Sequence, residues 1–211
     1  MSYKTEQESF WAGQFGKEYI SRNQSNTYLA ANVNFFSKAL SAADPMRSCI
    51  EFGANVGMNL KALRVLFPGI ELNGVEINSH AAKELRQLIG NENTYEQSIL
   101  NFESKSTFDL TLVKGVLIHI NPMELQSVYD KLYSASNKYI LICEYYNPTA
   151  VTIPYRGHHD RLFKRDFAGE LLERYEGLVL RDYGFAYHRD PKFPQDDITW
   201  FLLEKQSTTQ S

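Results

Sequence analysis

The chain has 211 residues, of which 43% are hydrophobic and 22% charged, and its formal net charge at pH 7 is −3. This size and balance predict one domain, residues 1–211, with a sizeable buried core. The weak negative charge and the lack of a long basic run argue against a broad nucleic-acid interface. Residues 1–10 are polar and acidic rather than a signal sequence, and no apolar run approaches the ~20 residues of a membrane span. We therefore expect a cytoplasmic protein without membrane contacts.

Two helical patterns occupy the first part of the chain. Aromatic side chains, among them Phe10, Trp11 and Phe15, recur at helical spacing in the first segment. A second helical pattern covers residues 26–40. Both precede the first strand pattern.

Strand and helix patterns alternate from residue 48 onward. Apolar runs predict strands at 48–52, 70–77, 93–97, 108–116, 139–143, 178–187 and 198–204. Helical patterns lie at 57–67, 81–88, 123–135 and 166–175. Asn78 and Asp166 are suited to cap two of these helices, and Pro122 is suited to the first turn of a third. Cys49 and Cys143 lie inside apolar runs, so we expect buried free thiols.

Strands that alternate with helices predict an α/β fold, with a parallel sheet covered by helices on both faces. The last two strands follow each other without a helix, so we expect an antiparallel hairpin at one edge. The predicted architecture is a Rossmann-like, seven-stranded, mostly parallel sheet. Ligands of such folds bind outside the carboxyl ends of the strands, which is where the candidate site residues fall.

The most specific signal follows the first predicted strand, which ends on the acid Glu51 and a turn that contains Gly53. Glu76 ends the next apolar run, at the distance of about 20 residues that is typical of an acid binding an adenosine ribose. Asn55 stands where a dinucleotide loop needs its middle glycine, and the Gly-Lys-Ser/Thr ending of a nucleoside triphosphate loop is absent. An acid before the first glycine would repel a pyrophosphate but suits a cationic cofactor.

These features resemble class I S-adenosylmethionine-dependent methyltransferases, and the resemblance extends over nearly the whole chain. It implies the fold of that class, S-adenosylmethionine as the cofactor, and Glu76 as the acceptor for both ribose hydroxyls. Segment 114–120, which contains His119, matches the part of the family that lines the sulfonium and the substrate. The implied cofactor-binding positions are Glu51, Gly53, Ala54, Asn55, Glu76, Ile77, Ser98, Ile99 and Lys114.

In similar methyltransferases an N-terminal helix folds over the cofactor, which implies a helical lid over residues 1–40. By this resemblance Tyr19 and Arg22 could hold the methionine carboxylate, while Trp11 and Phe15 cover the site and exclude water. The alternative is an amphipathic helix that only packs on the core.

A polar and aromatic insert, residues 147–166, follows the fifth predicted strand, where substrate loops belong. It concentrates arginines and histidines in a mildly acidic chain, so it could bind a carboxylate or a phosphate. The alternative is a solvated loop with surface ion pairs. The candidate substrate-binding residues are Tyr145, Tyr146, Tyr155, Arg156, His159 and Arg161.

The leader and the insert together most resemble a small group of methyltransferases associated with pseudaminic acid biosynthesis. The residues that carry this resemblance are 5–8, 10–13, 51–55, 155–158 and 166–167. It implies a small-molecule acceptor that is acidic and sugar-like, or its nucleotide-linked form.

Three residues are candidates for catalysis. A hydroxyl acceptor needs a base, for which His119 and His158 are candidates, although the apolar run around His119 is also typical of a core histidine. Glu144 could instead hold a cationic amine, which would favour N-methylation of an amino acid or a guanidine. A protein that binds S-adenosylmethionine without catalysis is a third possibility. No Cys and His spacing typical of a metal site is present in the sequence.

Overall fold

A computed structural model of the protein describes residues 3–20 and 25–206. The strands are Ser48–Phe52 (β1), Glu71–Glu76 (β2), Thr94–Glu96 (β3), Phe108–Lys114 (β4), Ser136–Glu144 (β5), Val151–Thr152 (β6), Phe163–Lys164 (β7), Leu178–Ala186 (β8) and Ile198–Lys205 (β9). Seven of them form one sheet in the order β3-β2-β1-β4-β5-β9-β8. The pairs from β3 to β5 are parallel, and β9 is antiparallel to both β5 and β8. The predicted sheet and its antiparallel hairpin are confirmed.

The helices begin and end close to their predicted positions. They are Glu6–Ala12 (α1), Gln14–Ile20 (α2), Asn26–Ala39 (α3), Met58–Leu66 (α4), Ser79–Ile89 (α5), Leu125–Ala135 (α6) and Phe167–Arg174 (α7). Asn78 and Asp166 cap α5 and α7 through their side chains, as predicted. Pro122 opens a short 3-10 turn, so α6 begins at Leu125, two residues later than predicted. Within the described ranges, no helix is both long and apolar enough to cross a membrane.

The sheet separates two hydrophobic clusters, because successive side chains of a strand point to opposite faces. Cys49 belongs to the cluster that contains Phe36 of α3, whereas its neighbour Ile50 belongs to the cluster that contains Leu132 of α6. Cys49 and Cys143 are both buried and free, which confirms the expectation from their apolar surroundings.

The strand order reverses between β1 and β4, and this reversal creates a crevice at the carboxyl ends of the strands. The loop after β1 enters this crevice through Gly53, whose φ is +77°. The N–H groups of Gly53 and Ala54 both donate to the carbonyl oxygen of Val75, at 2.9 and 3.0 Å. These bonds tie the loop to the end of β2.

Replacing Gly53 by alanine should destabilise the fold by about 2–4 kcal/mol, since a left-handed backbone and overpacking both carry a cost. A Cβ atom at this position would lie 2.6 Å from Cγ2 of Val116. Gly69 is a matched control, because its Cβ would meet nothing within 4 Å and its φ is not in the left-handed region. The change Gly69→Ala should alter the free energy of unfolding by less than about 0.5 kcal/mol. Urea denaturation of both variants measures the difference; equal effects would contradict the argument.

Candidate active site

A cavity of about 390 Å³ lies at the carboxyl ends of β1, β2 and β4. Its wall combines the glycine loop, the segments after β2, β3 and β4, helix α1 and part of the insert. The structure brings most of the sequence-predicted cofactor residues together in this wall, namely Gly53, Ala54, Asn55, Glu76, Ile77, Ser98, Ile99 and Lys114. Arg22 and the side chain of Tyr19 lie outside the described residues.

Glu76 places a carboxylate at the end of β2, where only 8% of the residue is exposed. Its Oε2 accepts from the N–H of Asn55 at 2.7 Å, and its Oε1 accepts from the N–H of Asn78 at 2.7 Å. Burial raises the pKa of Glu76 above its ordinary value, while these backbone N–H groups act in the opposite direction. Each oxygen keeps a further lone pair, so Glu76 can accept from two neighbouring hydroxyls of a ligand.

Glu51 is fully buried at the end of β1 and does not line the cavity. Its Oε1 accepts from Nδ2 of Asn59 at 2.6 Å, and burial raises its pKa to about 8. Oε2 of Glu51 and the Oδ1 atoms of Asn55 and Asn59 have no hydrogen-bond partner among the described residues. The Oδ1 atoms of Asn55 and Asn59, two residues of the cavity wall, therefore suit a ligand that carries N–H donors or a positive charge.

Helix α1 is tied to the cavity by Glu8, which is not among the site residues that the sequence predicts. Ser98 donates a short hydrogen bond from Oγ to Oε1 of Glu8, and Oε2 of Glu8 accepts from the N–H of Thr5 at 2.8 Å. The pair Thr5 and Glu8 forms a capping box at the start of α1. That spacing is a readable sequence signal for the helix, but the contact with Ser98 depends on the tertiary fold.

His119 lies on a 3-10 turn after β4, lines the cavity and is 8% exposed. Its Nδ1 lies 2.5 Å from the carbonyl oxygen of Arg161. Because a carbonyl can only accept, Nδ1 carries the hydrogen, and Nε2 of the neutral ring keeps its lone pair. Burial lowers the pKa of His119 to about 4, so the ring is neutral at pH 7. The rings of Trp11 and Tyr155 lie 4.7 and 5.2 Å from the imidazole.

Glu144 faces away from the cavity and supports the turn that carries His119. Its Oε1 accepts from the N–H groups of Val116 and Leu117, at 2.9 and 2.8 Å. Burial raises its pKa to about 7, and the backbone N–H groups oppose this shift. Glu144 is therefore committed to the backbone and does not meet a ligand in this cavity.

The insert contributes Tyr155 and Arg156 to the cavity wall, and β5 is followed there by Tyr145. The Arg156 guanidinium lies over the rings of Phe15 and Tyr155, at 5.7 and 5.6 Å. The Tyr145 hydroxyl donates to Oδ2 of Asp196 at 3.1 Å. These residues form the part of the wall that carries both aromatic faces and charge.

The other candidates in and beside the insert lie elsewhere. Tyr146 is exposed and packs near Phe201, and the exposed residues His158 and His159 do not line the cavity. Arg161 is mostly buried and pairs with Asp160 and with Glu6 of α1, at 2.5 and 2.9 Å, so it joins the insert to the leader. Within the described part of the chain, no three His, Cys, Asp or Glu side chains converge in the manner of metal ligands.

Solved structures share this architecture. A mitomycin 7-O-methyltransferase superposes with a TM-score of 0.64 at 14% identity, over 95% of this chain, which spans 61% of that protein. The magnesium protoporphyrin IX methyltransferase of Synechocystis PCC 6803, with S-adenosylmethionine bound, gives 0.66 at 14% identity over 98% and 100% of the two chains. An amino pentose methyltransferase from Micromonospora echinaspora, also with S-adenosylmethionine bound, gives 0.64 at 9% identity over 90% and 97%. No protein-family model and no curated protein matches the sequence.

At these identities the likeness establishes the fold. The strand order, the antiparallel hairpin and the superpositions define the Rossmann-like fold of class I S-adenosylmethionine-dependent methyltransferases, as the sequence predicts. The cavity occupies the position at which open α/β sheets bind their ligands.

Proposed function

We propose that this chain is an S-adenosylmethionine-dependent methyltransferase that acts on a hydroxyl group of a small acidic acceptor. The observation that carries this proposal is that one cavity contains both Glu76, a carboxylate suited to a ribose, and His119, a neutral imidazole with an available lone pair. The leader, residues 1–40, acts as its lid, and the insert, residues 147–166, meets the acceptor.

The described residues fit S-adenosylmethionine. Glu76 would hold the ribose hydroxyls, Ile77 and Ile99 would flank the adenine, and residues 53–55 would lie along the methionine part. The unpartnered Oδ1 atoms of Asn55 and Asn59 in the cavity wall suit its ammonium and sulfonium groups. When bound, S-adenosylmethionine supplies a methyl group on a sulfonium, which passes to the acceptor and leaves S-adenosylhomocysteine.

The chain's own residues position the acceptor and accept the proton that its hydroxyl loses. A hydroxyl loses its proton as its oxygen gains the methyl group, and neutral His119 accepts that proton at Nε2. A weak base suffices, because the oxygen gains positive charge as the new C–O bond forms. The proton on that oxygen then becomes strongly acidic. Trp11 of α1 lies beside His119 and helps to exclude water from the reaction.

The cationic side chains in the described cavity wall, Lys114 and Arg156, support an acidic acceptor. A sialic-acid-like sugar, or its nucleotide-linked form, combines a carboxylate or phosphate with several hydroxyls and meets this requirement. The amino pentose methyltransferase with the same fold supports a sugar-like acceptor. This reading agrees with the resemblance to methyltransferases associated with pseudaminic acid biosynthesis.

Two alternatives make different predictions. N-methylation of a cationic amine would need Glu144 in the cavity, and its commitment to the Val116 and Leu117 N–H groups disfavours that reaction. A non-catalytic S-adenosylmethionine-binding protein would keep Glu76 but would not use His119 as a base.

The test combines calorimetry with mass spectrometry. We expect the protein to bind S-adenosylmethionine, and a metabolite extract incubated with protein and methyl-labelled S-adenosylmethionine to contain an acid that has gained the label on oxygen. Binding without a labelled product would favour the non-catalytic protein, and a label on nitrogen would favour the amine reaction. Absence of binding would overturn the proposal.

A further inference from the structure

Lys114 is a buried cation in the cavity wall, and its immediate partners are neutral. It ends β4 and is 9% exposed. Its Nζ donates to Oε1 of Gln195 at 3.2 Å and to Oδ1 of Asn32 at 3.5 Å. The rings of Phe35 and Tyr28 lie 5.3 and 5.7 Å from Nζ. Among the described residues, no carboxylate lies within 4 Å of this ammonium group, the ion-pair distance.

The amides around Lys114 are oriented toward it. Gln195 donates from Nε2 to Oδ1 of Asn32 at 2.9 Å, which leaves Oε1 of Gln195 directed at Nζ. The Nδ2 group of Asn32 is buried without a hydrogen-bond partner among the described residues. Lys114 lines the cavity whereas Asn32 and Gln195 lie behind it, so the cluster presents the ammonium to the cavity, and this group matches an acceptor with negative charge.

Buried charges are normally paired, because the removal of an uncompensated ammonium from water carries a large desolvation cost. Glu51 and Glu144 lie at the ends of the two strands that flank β4, and the charge of Lys114 favours their ionised forms from beyond ion-pair distance. Burial nevertheless raises the pKa of Glu51 to about 8 and that of Glu144 to about 7. Neither carboxylate contacts Lys114 directly.

We propose that Lys114, positioned by Asn32 and Gln195, is the cation of a carboxylate-binding subsite in this cavity. The inference rests on the proposed function, since β4 and β2 lie on either side of β1. Lys114 and Glu76 line the same cavity from strand ends that are about 10 Å apart, since neighbouring strands are about 4.8 Å apart. The carboxylate would come from the amino-acid tail of a cofactor whose ribose Glu76 holds, or from the acidic acceptor, and the chemistry of recognition is the same.

Calorimetry with two ligands separates these sources. If the subsite holds the cofactor tail, Lys114→Met should weaken binding of S-adenosylmethionine by about 10- to 100-fold and leave binding of decarboxylated S-adenosylmethionine unchanged. If it holds the acceptor, Lys114→Met should leave both affinities unchanged. Acetate should then bind wild-type protein saturated with S-adenosylhomocysteine, but not the variant.

Lys131→Met is a matched control, because Lys131 is equally buried but pairs with Glu103 outside the cavity. It should change none of these affinities, and thermal unfolding shows whether each variant is folded. Two results for Lys114→Met would overturn the subsite. One is an equal loss of affinity for S-adenosylmethionine and for its decarboxylated form. The other is unchanged affinity for acetate and for both of these ligands. If wild-type protein binds neither S-adenosylmethionine nor its decarboxylated form, the proposed function fails. The subsite is still tested by titrating acetate into the free wild-type protein and into Lys114→Met, because only the wild-type protein should bind acetate.

Discussion

Replacing Glu76 by alanine should weaken S-adenosylmethionine binding by about 100-fold or more. The loss of two charge-assisted hydrogen bonds, each worth about 1.5–3 kcal/mol, predicts this size of effect. The same variant should no longer distinguish adenosine from 2′-deoxyadenosine, because Glu76 is the residue we assign to the ribose hydroxyls. Calorimetric titration of the three ligands measures both effects.

Glu96 supplies the matched control for this experiment. It is the register partner of Glu76 on β3, but its carboxylate pairs with Arg86 instead of the glycine loop. The change Glu96→Ala should leave S-adenosylmethionine affinity within about twofold of wild type, since a surface ion pair contributes little. Glu76→Ala also removes the acceptor for Asn55 and Asn78, so its folding is checked by circular dichroism. A folded Glu76→Ala protein with unchanged affinity would remove the ribose assignment.

Replacing His119 by glutamine should lower turnover by about 100- to 10,000-fold, the usual contribution of a general base. S-adenosylmethionine affinity should stay close to that of wild type, because the proposed role of His119 is to accept a proton from the acceptor. The readout is formation of the labelled product in the metabolite extract, with calorimetry of the same protein. His80→Gln is the control, since His80 is an exposed residue on α5 and should retain full activity.

The pH dependence of turnover tests the protonation state of His119. Its pKa is lowered from 6.5 to about 4, so the neutral base persists as the pH falls from 7 to about 5. Turnover through this base should decline only as the pH approaches 4, where the ring gains a proton. An activity loss centred near pH 6.5 would contradict the assignment of the buried His119 as the base.

The contacts of the leader and the insert are only partly encoded in local sequence patterns. Trp11, which the resemblance places over the site, lines the cavity, and so do Tyr155 and Arg156 of the insert. Arg161 was expected to bind substrate, but its guanidinium pairs with Glu6 and Asp160, while its carbonyl oxygen orients His119. No local pattern specifies such a backbone contact.

The contacts of Glu144 are likewise not specified by a local sequence pattern. Its position after the fifth predicted strand placed it among the catalytic candidates, because the carboxyl ends of strands carry the ligands of α/β sheets. The turn after β4 leaves N–H groups at Val116 and Leu117 that need an acceptor, and Glu144 satisfies them. The direction of a strand-end side chain thus depends on its neighbouring loop.

The sequence by itself determined the alternating α/β elements, the hairpin at the sheet edge, the glycine loop after β1 and the position of Glu76 at the end of β2, because hydrophobic periodicity and glycine positions act over short stretches of chain. Only the tertiary structure decided which side chains meet in the cavity. Asn32 and Gln195 approach Lys114 from distant parts of the chain, and Glu8 reaches Ser98 from the leader. These contacts form because buried polar groups must find partners in space, and sequence spacing does not encode that geometry.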